Sequence, residues 1–96
     1  MSLIHHDEIV RRLAAMPEWH HRGNALERCF DRTSFDGAIL FVNAVAKLAN
    51  AHDHHPDIAI SWNNVTLTLC SHDAGGITKR DFTLAKALDD LASARP

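Results

Sequence analysis

The chain has 96 residues, 46% of them hydrophobic and 23% charged, with a net charge of −2 from 10 basic and 12 acidic side chains. This length and balance fit one small domain over residues 1–96 and exclude disorder and collagen-like repeats. The scattered charges exclude a basic stripe for nucleic acid, and no run approaches the roughly 18 apolar residues of a membrane span. With no signal-peptide pattern at the N-terminus, the cytoplasm is the expected location.

In chain order, the segment from about His5 to Met16 places Ile9, Val10, Leu13 and Met16 on one helical face, and Pro17 ends it. From Glu18 to Arg32 the pattern is extended, with Gly23-Asn24 marking a turn between two strands, Trp19–Arg22 and Ala25–Phe30. Thr33 and Asp36 read as a capping box for a central helix from about Phe35 to Asn50, whose core face is expected at Phe35, Ile39, Val42, Ala46 and Ala49.

A second hairpin follows: Ile58, Ile60 and Trp62 alternate with Ala59 and Ser61, Asn63-Asn64 supplies the turn, and Val65, Leu67 and Leu69 alternate with Thr66, Thr68 and Cys70. Trp62 continues the apolar face and is expected to be structural. After Gly75-Gly76, Thr78 and Asp81 form a Thr-x-x-Asp cap, flanked by an Ile77–Phe82 hydrophobic staple. The last helix therefore starts at Lys79 and runs through Leu84, Ala85, Leu88, Leu91 and Ala92. The order α-β-β-α-β-β-α predicts an α+β fold, a four-stranded antiparallel sheet with three helices packed on one face. Cys29 and Cys70, in strand-like runs without C-x-x-C spacing, read as buried free thiols.

Histidine is the anomaly of the composition. There are eight, and three fall among residues 52–55, as His52, His54 and His55. With Asn63-Asn64 as a two-residue turn, Trp62 faces Val65, Ile60 faces Leu67, and Ile58 faces Leu69. The same ladder, extended to the open end, sets His55 opposite His72, with side-chain origins about 5 Å apart. Imidazoles titrate near neutral pH, so such a group can protonate a leaving group while taking a proton elsewhere. It can also ligate zinc or another transition metal. His5, His6, His20 and His21 follow no ligand spacing and read as surface residues.

His54-His55-Pro56-Asp57, Trp62, Val65, Leu67, Leu69, Ser71-His72, Gly76-Ile77-Thr78 and Asp81 together resemble the signature of the pterin-4a-carbinolamine dehydratases. The resemblance implies loss of the C4a hydroxyl and the N5 proton from a 4a-hydroxytetrahydropterin, giving quinonoid dihydropterin and supporting pterin cofactor recycling. It implies His54, His55 and His72 as the catalytic set, with His54 and His72 exchanging protons and His55 orienting the ring. Asp81, Trp19 and Pro56 are implied as substrate-binding residues.

No metal and no organic cofactor is implied. The implied partners are a small-molecule pterin, further copies of the chain in a homodimer or homotetramer, and a functional link to an aromatic amino-acid hydroxylase. The transcription-factor binding of vertebrate members is not carried over. One position departs from the pattern: Asn50 stands where the family usually has an acidic residue, followed by Ala51 and His52 in place of lysine and a small apolar residue. That departure keeps a second reading open, a non-catalytic pterin-binding or dimerisation module of the same fold, beside a histidine-ligated metal protein.

Overall fold

In the computed structural model, which describes residues 2–94, the elements are α1 (His6–Ala14), β1 (His20–Arg22), β2 (Ala25–Asp31), α2 (Phe35–His52), β3 (Asp57–Ser61), β4 (Asn64–Leu69) and α3 (Lys79–Ser93). The strands form one antiparallel sheet in the order β1-β2-β4-β3, so the central β4 pairs with both β2 and β3. The expected α+β order and sheet are observed.

Alternation along β4 buries Val65, Leu67 and Leu69 on the helix side and leaves Thr66 and Thr68 partly open on the other. Phe30 from β2, Phe41 and Val45 from α2, and Leu84 and Leu88 from α3 close over them in one cluster. Each such side chain contributes about 1.5–3 kcal/mol on leaving water. Edge strand β3 is exposed along its length, because the helices do not reach over Ile58 and Ile60.

Three local expectations are corrected. The second hairpin turns at Trp62-Asn63, pairing Ser61 with Asn64, Ile60 with Val65, and Ile58 with Leu67. Trp62 takes the first turn position with a left-handed φ of 59°, as Gly23 does in the first hairpin, and is exposed rather than core. A positive φ there is what a two-residue hairpin needs; Asn63 is spent instead on tying the turn to β2, through its carbonyl to Arg32 N and its amide to Asp31. The register thus differs by two residues, which preserves the alternation of the paired strand residues but removes the His55–His72 opposition.

The second correction lies in α2. The buried face is Ala38, Phe41, Val45 and Ala49, while Phe35, Ile39 and Ala46 are exposed and Val42 is half-buried. Residues 38–42 are apolar without a break, so spacing alone admits two stripes, and the one that presents Ala38 lets the helix approach closely. The N-cap is Ser34, whose Oγ accepts from Gly37 N at 2.9 Å, while Thr33 sits at φ 76°. Gly37 admits no side chain, since a Cβ would lie 2.5 Å from the Arg32 carbonyl oxygen. In α1, Val10 likewise faces outward and Ile9 is the buried residue.

The third concerns the cysteines: both are free, but Cys29 is exposed and Cys70 half-buried. The cap of α3 matches expectation. Asp81 accepts from the Thr78 amide, Thr78 Oγ accepts from Arg80 N, and Ile77 and Phe82 are both buried.

Candidate active site

The end of α2 aims the first two histidines. Asp53 adopts a left-handed conformation, φ 50°; its amide bonds Asn50 O, and the His54 amide reaches back to Ala49 O. These two bonds make a Schellman ending, with Asp in the position glycine usually fills. The chain therefore turns sharply after His52, sending His54 inward and leaving His55 at the surface. Pro56 then holds the approach to β3 extended.

His54 is 7% exposed, and its Nε2 lies 2.5 Å from Asp81 Oδ1. The other carboxylate oxygen of Asp81 accepts from Ser71 Oγ and from the Thr78 amide, both at 2.9 Å. Because Ser71 spends its one proton on Asp81, the 2.8 Å contact between the hydroxyls of Ser71 and Thr78 must be donated by Thr78. Asp81, Ser71 and Thr78 are each fully buried. Three donors converge on this carboxylate, and a neutral His54 donating to Oδ1 carries its ring proton on Nε2. Nδ1 is left with the lone pair.

His55 is exposed, with Nε2 2.9 Å from Asn50 Oδ1. His72 is also exposed, in the turn closed by the Ser71–Gly76 bridge. A cleft of about 220 Å³ is lined by Asp53, His54, His55, Cys70, His72, Asp73 and Arg80. The three expected histidines meet there, although on the segments that enter β3 and leave β4 at the open end of the hairpin and not as opposed strand residues. At its rim the Arg80 guanidinium, 2.6 Å from Asp73, holds that carboxyl below its ordinary value of 3.8. The Cys70 thiol is pushed above its ordinary value of 9.0 by burial and by the carboxylates of Asp81 and Asp57.

The other expected site residues sit elsewhere. Asp81 does not line the cleft but stands behind His54. Trp19 is 2% exposed in the core, edge-on to Phe30, with its Nε1 donating to Asp89 Oδ1 at 2.8 Å, an oxygen that Arg28 also holds. Pro56 is half-buried beside His55 and is not part of the lining. Sequence reasoning missed Asp73 and Arg80 as site residues; opposite charges flanking the Gly75-Gly76 turn are the signal that marks them. Among the described residues no group of three or more His, Cys, Asp or Glu side chains is placed to hold a metal ion. None of their helices is long and apolar enough to cross a membrane.

The family model described as Pterin 4 alpha carbinolamine dehydratase matches residues 2–91. The chain belongs to this family. A protein of Roseiflexus castenholzii, provisionally named a pterin-4-alpha-carbinolamine dehydratase, is 47% identical over 90 residues, covering 94% of this chain and 97% of the relative. A Nocardia farcinica protein with the same provisional name is 42% identical over 91 residues, covering 95% and 96%.

Among solved structures, a transcriptional coactivator/pterin dehydratase from Brucella melitensis matches with a TM-score of 0.88 at 28% identity, covering 94% of this chain and 98% of that one. A pterin dehydratase-like protein identified as a RuBisCO assembly factor in the alpha-carboxysome matches with a TM-score of 0.68 at 25% identity, covering 81% and 93%. The family supports carbinolamine dehydration in general terms, and the assembly factor is a relative named for another task.

Proposed function

We propose that this chain catalyses dehydration of a pterin-4a-carbinolamine to quinonoid dihydropterin by histidine acid–base chemistry, supporting recycling of a pterin cofactor. The observation that carries this reading is the buried His54–Asp81 pair at the wall of a cleft that also holds His55 and His72.

In the proposed reaction, His54 Nδ1 takes the N5 proton, and the imidazolium so formed is stabilised by the Asp81 carboxylate at Nε2. The electron pair released at N5 forms the N5–C4a double bond as the C4a–O bond breaks. His72, exposed and able to recover a proton from solvent, protonates the departing hydroxyl, which leaves as water. His55 orients the ring, with its own orientation set by Asn50. Self-association is part of the same proposal: Ile58 and Ile60 on the edge strand and Phe35 and Leu40 on α2 are exposed apolar surface.

The test is dehydration of freshly generated 4a-hydroxytetrahydropterin, followed by dihydropterin absorbance in the presence of a chelator. The native chain accelerates the reaction, while His54→Ala and His72→Ala each lose about 100-fold or more, the usual worth of a positioned acid or base. A native chain that binds the pterin without accelerating its dehydration overturns the catalytic reading in favour of a binding module. That second reading draws on Asn50, an amide where the family's pattern has an acid.

A further inference from the structure

Asp81 has a neighbour with a parallel task. Arg80 and Asp81 are consecutive residues in the first turn of α3, and each reaches toward a different side of the histidine cleft. Asp81 holds His54 directly. Arg80 reaches Asp73, the residue after His72, with NH2 to Oδ1 at 2.6 Å.

The turn carrying His72 is closed by backbone bonds: Ser71 N to Gly76 O, the Ala74, Gly75 and Gly76 amides to Ser71 O, and the Gly75 amide also to His72 O. Those bonds fix where the turn leaves the sheet. They all run within residues 71–76 and do not tie the tip to α3; at the tip His72 and Asp73 are exposed and Gly75 sits at φ 80°. The Arg80–Asp73 pair is the tie from that tip to the rigid start of α3. Nε of Arg80 is buried without a partner, so this face of the guanidinium is withheld from any occupant of the cleft.

We infer that Arg80 is a positioning residue: through Asp73 it sets the inclination of the 71–76 turn and so the distance of His72 from the reacting atoms opposite His54. This rests on the dehydratase reading for its kinetic consequence. An exposed ion pair of this kind adds little to stability, but a displacement of about 1 Å at a proton donor costs up to about 100-fold in rate. Position, not fold energy, is what the pair controls.

The test compares Arg80→Gln, Asp73→Asn and the exchanged pair Arg80→Asp/Asp73→Arg, with Lys86→Gln as a control that removes an exposed ion pair elsewhere. Both single variants lower kcat about tenfold with KM within about twofold, and the exchanged pair recovers most of it. About 1 M salt, which shortens screening to about 3 Å, lowers the native kcat toward that of Arg80→Gln and leaves the variant unmoved.

An unchanged kcat in both single variants overturns the inference, as does a rise in KM alone, which would make Arg80 a substrate ligand. If the native chain shows no turnover, the dehydratase reading fails and the positioning claim is read from imidazole NMR. In Arg80→Gln the His72 ring resonances move while those of His54 stay; unmoved His72 resonances overturn it.

Discussion

The two walls of the cleft are built on different physical footings. On one side His54 is buried and held by a carboxylate that itself has three donors, so one arrangement of protons satisfies the whole set. On the other side His55 and His72 are exposed, one steadied by an amide and the other carried on a turn tied by a surface ion pair. In the proposed reaction the buried wall sets a tautomer, and the exposed wall supplies the histidine open to solvent. A dehydration that takes one proton and returns another at a different atom has use for both.

The largest effect is expected at the centre of the buried wall. Asp81→Asn keeps the shape but removes one acceptor oxygen. If the remaining amide oxygen stays with Ser71 Oγ and the Thr78 amide, the new NH2 group faces His54 Nε2, which must then become an acceptor. The ring proton moves to Nδ1, and the lone pair assigned to the N5 proton is lost. Activity falls by about 100-fold or more, and the buried network loses about 1–3 kcal/mol in urea unfolding. Retained activity with normal stability would show that the buried wall does not fix the tautomer, and the contrast between the walls would collapse.

The same contrast separates what was legible in the sequence from what was not. Thr78, Asp81, Ile77 and Phe82 were readable to the residue, because a capping box and staple are local and their spacing is set by one helical turn. The histidines were readable as a group, but the register that seemed to join them was not. Trp62 in a left-handed turn position defies its own propensity, and Asn63-Asn64 is the better turn by composition. The error spared the alternation of the paired strand residues because a shift of two preserves parity.

The stripe on α2 was misread because its apolar residues nearly encircle the helix, and close packing rather than spacing selects Ala38 and Phe41. Bonds that span folded turns, such as His54 to Asp81, left no periodic mark, though the family pattern placed Asp81 near the site.

A smaller effect is expected on the exposed wall, where Asn50→Glu restores the acid of the family's pattern beside His55. An exposed carboxylate–imidazolium pair is worth about 1 kcal/mol at most. Dehydration kcat/KM therefore rises by about two- to fivefold at low salt, with the gain fading at about 1 M salt. A gain that survives high salt would place His55 in a drier setting than its exposure indicates. A loss of activity would mean that the neutral amide is what His55 requires. Either result moves the boundary between the two walls.

The smallest effect is a labelling difference that reads the walls without any substrate. Cys70 lies in the cleft and Cys29 is exposed on the sheet, so each thiol samples a different surface. Burial and the carboxylates of Asp81 and Asp57 disfavour the Cys70 thiolate, which holds its proton above the ordinary value of 9.0. Since Cys29 is exposed and the thiolate is the reactive form, Cys29 reacts first with a disulfide reagent, and labelling of Cys70 gains as the pH is raised. Asp81→Asn removes one of the charges that hold the proton on, so labelling of Cys70 begins at lower pH in that variant. If the labelling of Cys70 instead matches that of Cys29 at every pH, the cleft is more open than its lining suggests. The loss expected for Asp81→Asn would then have to come from His54 alone.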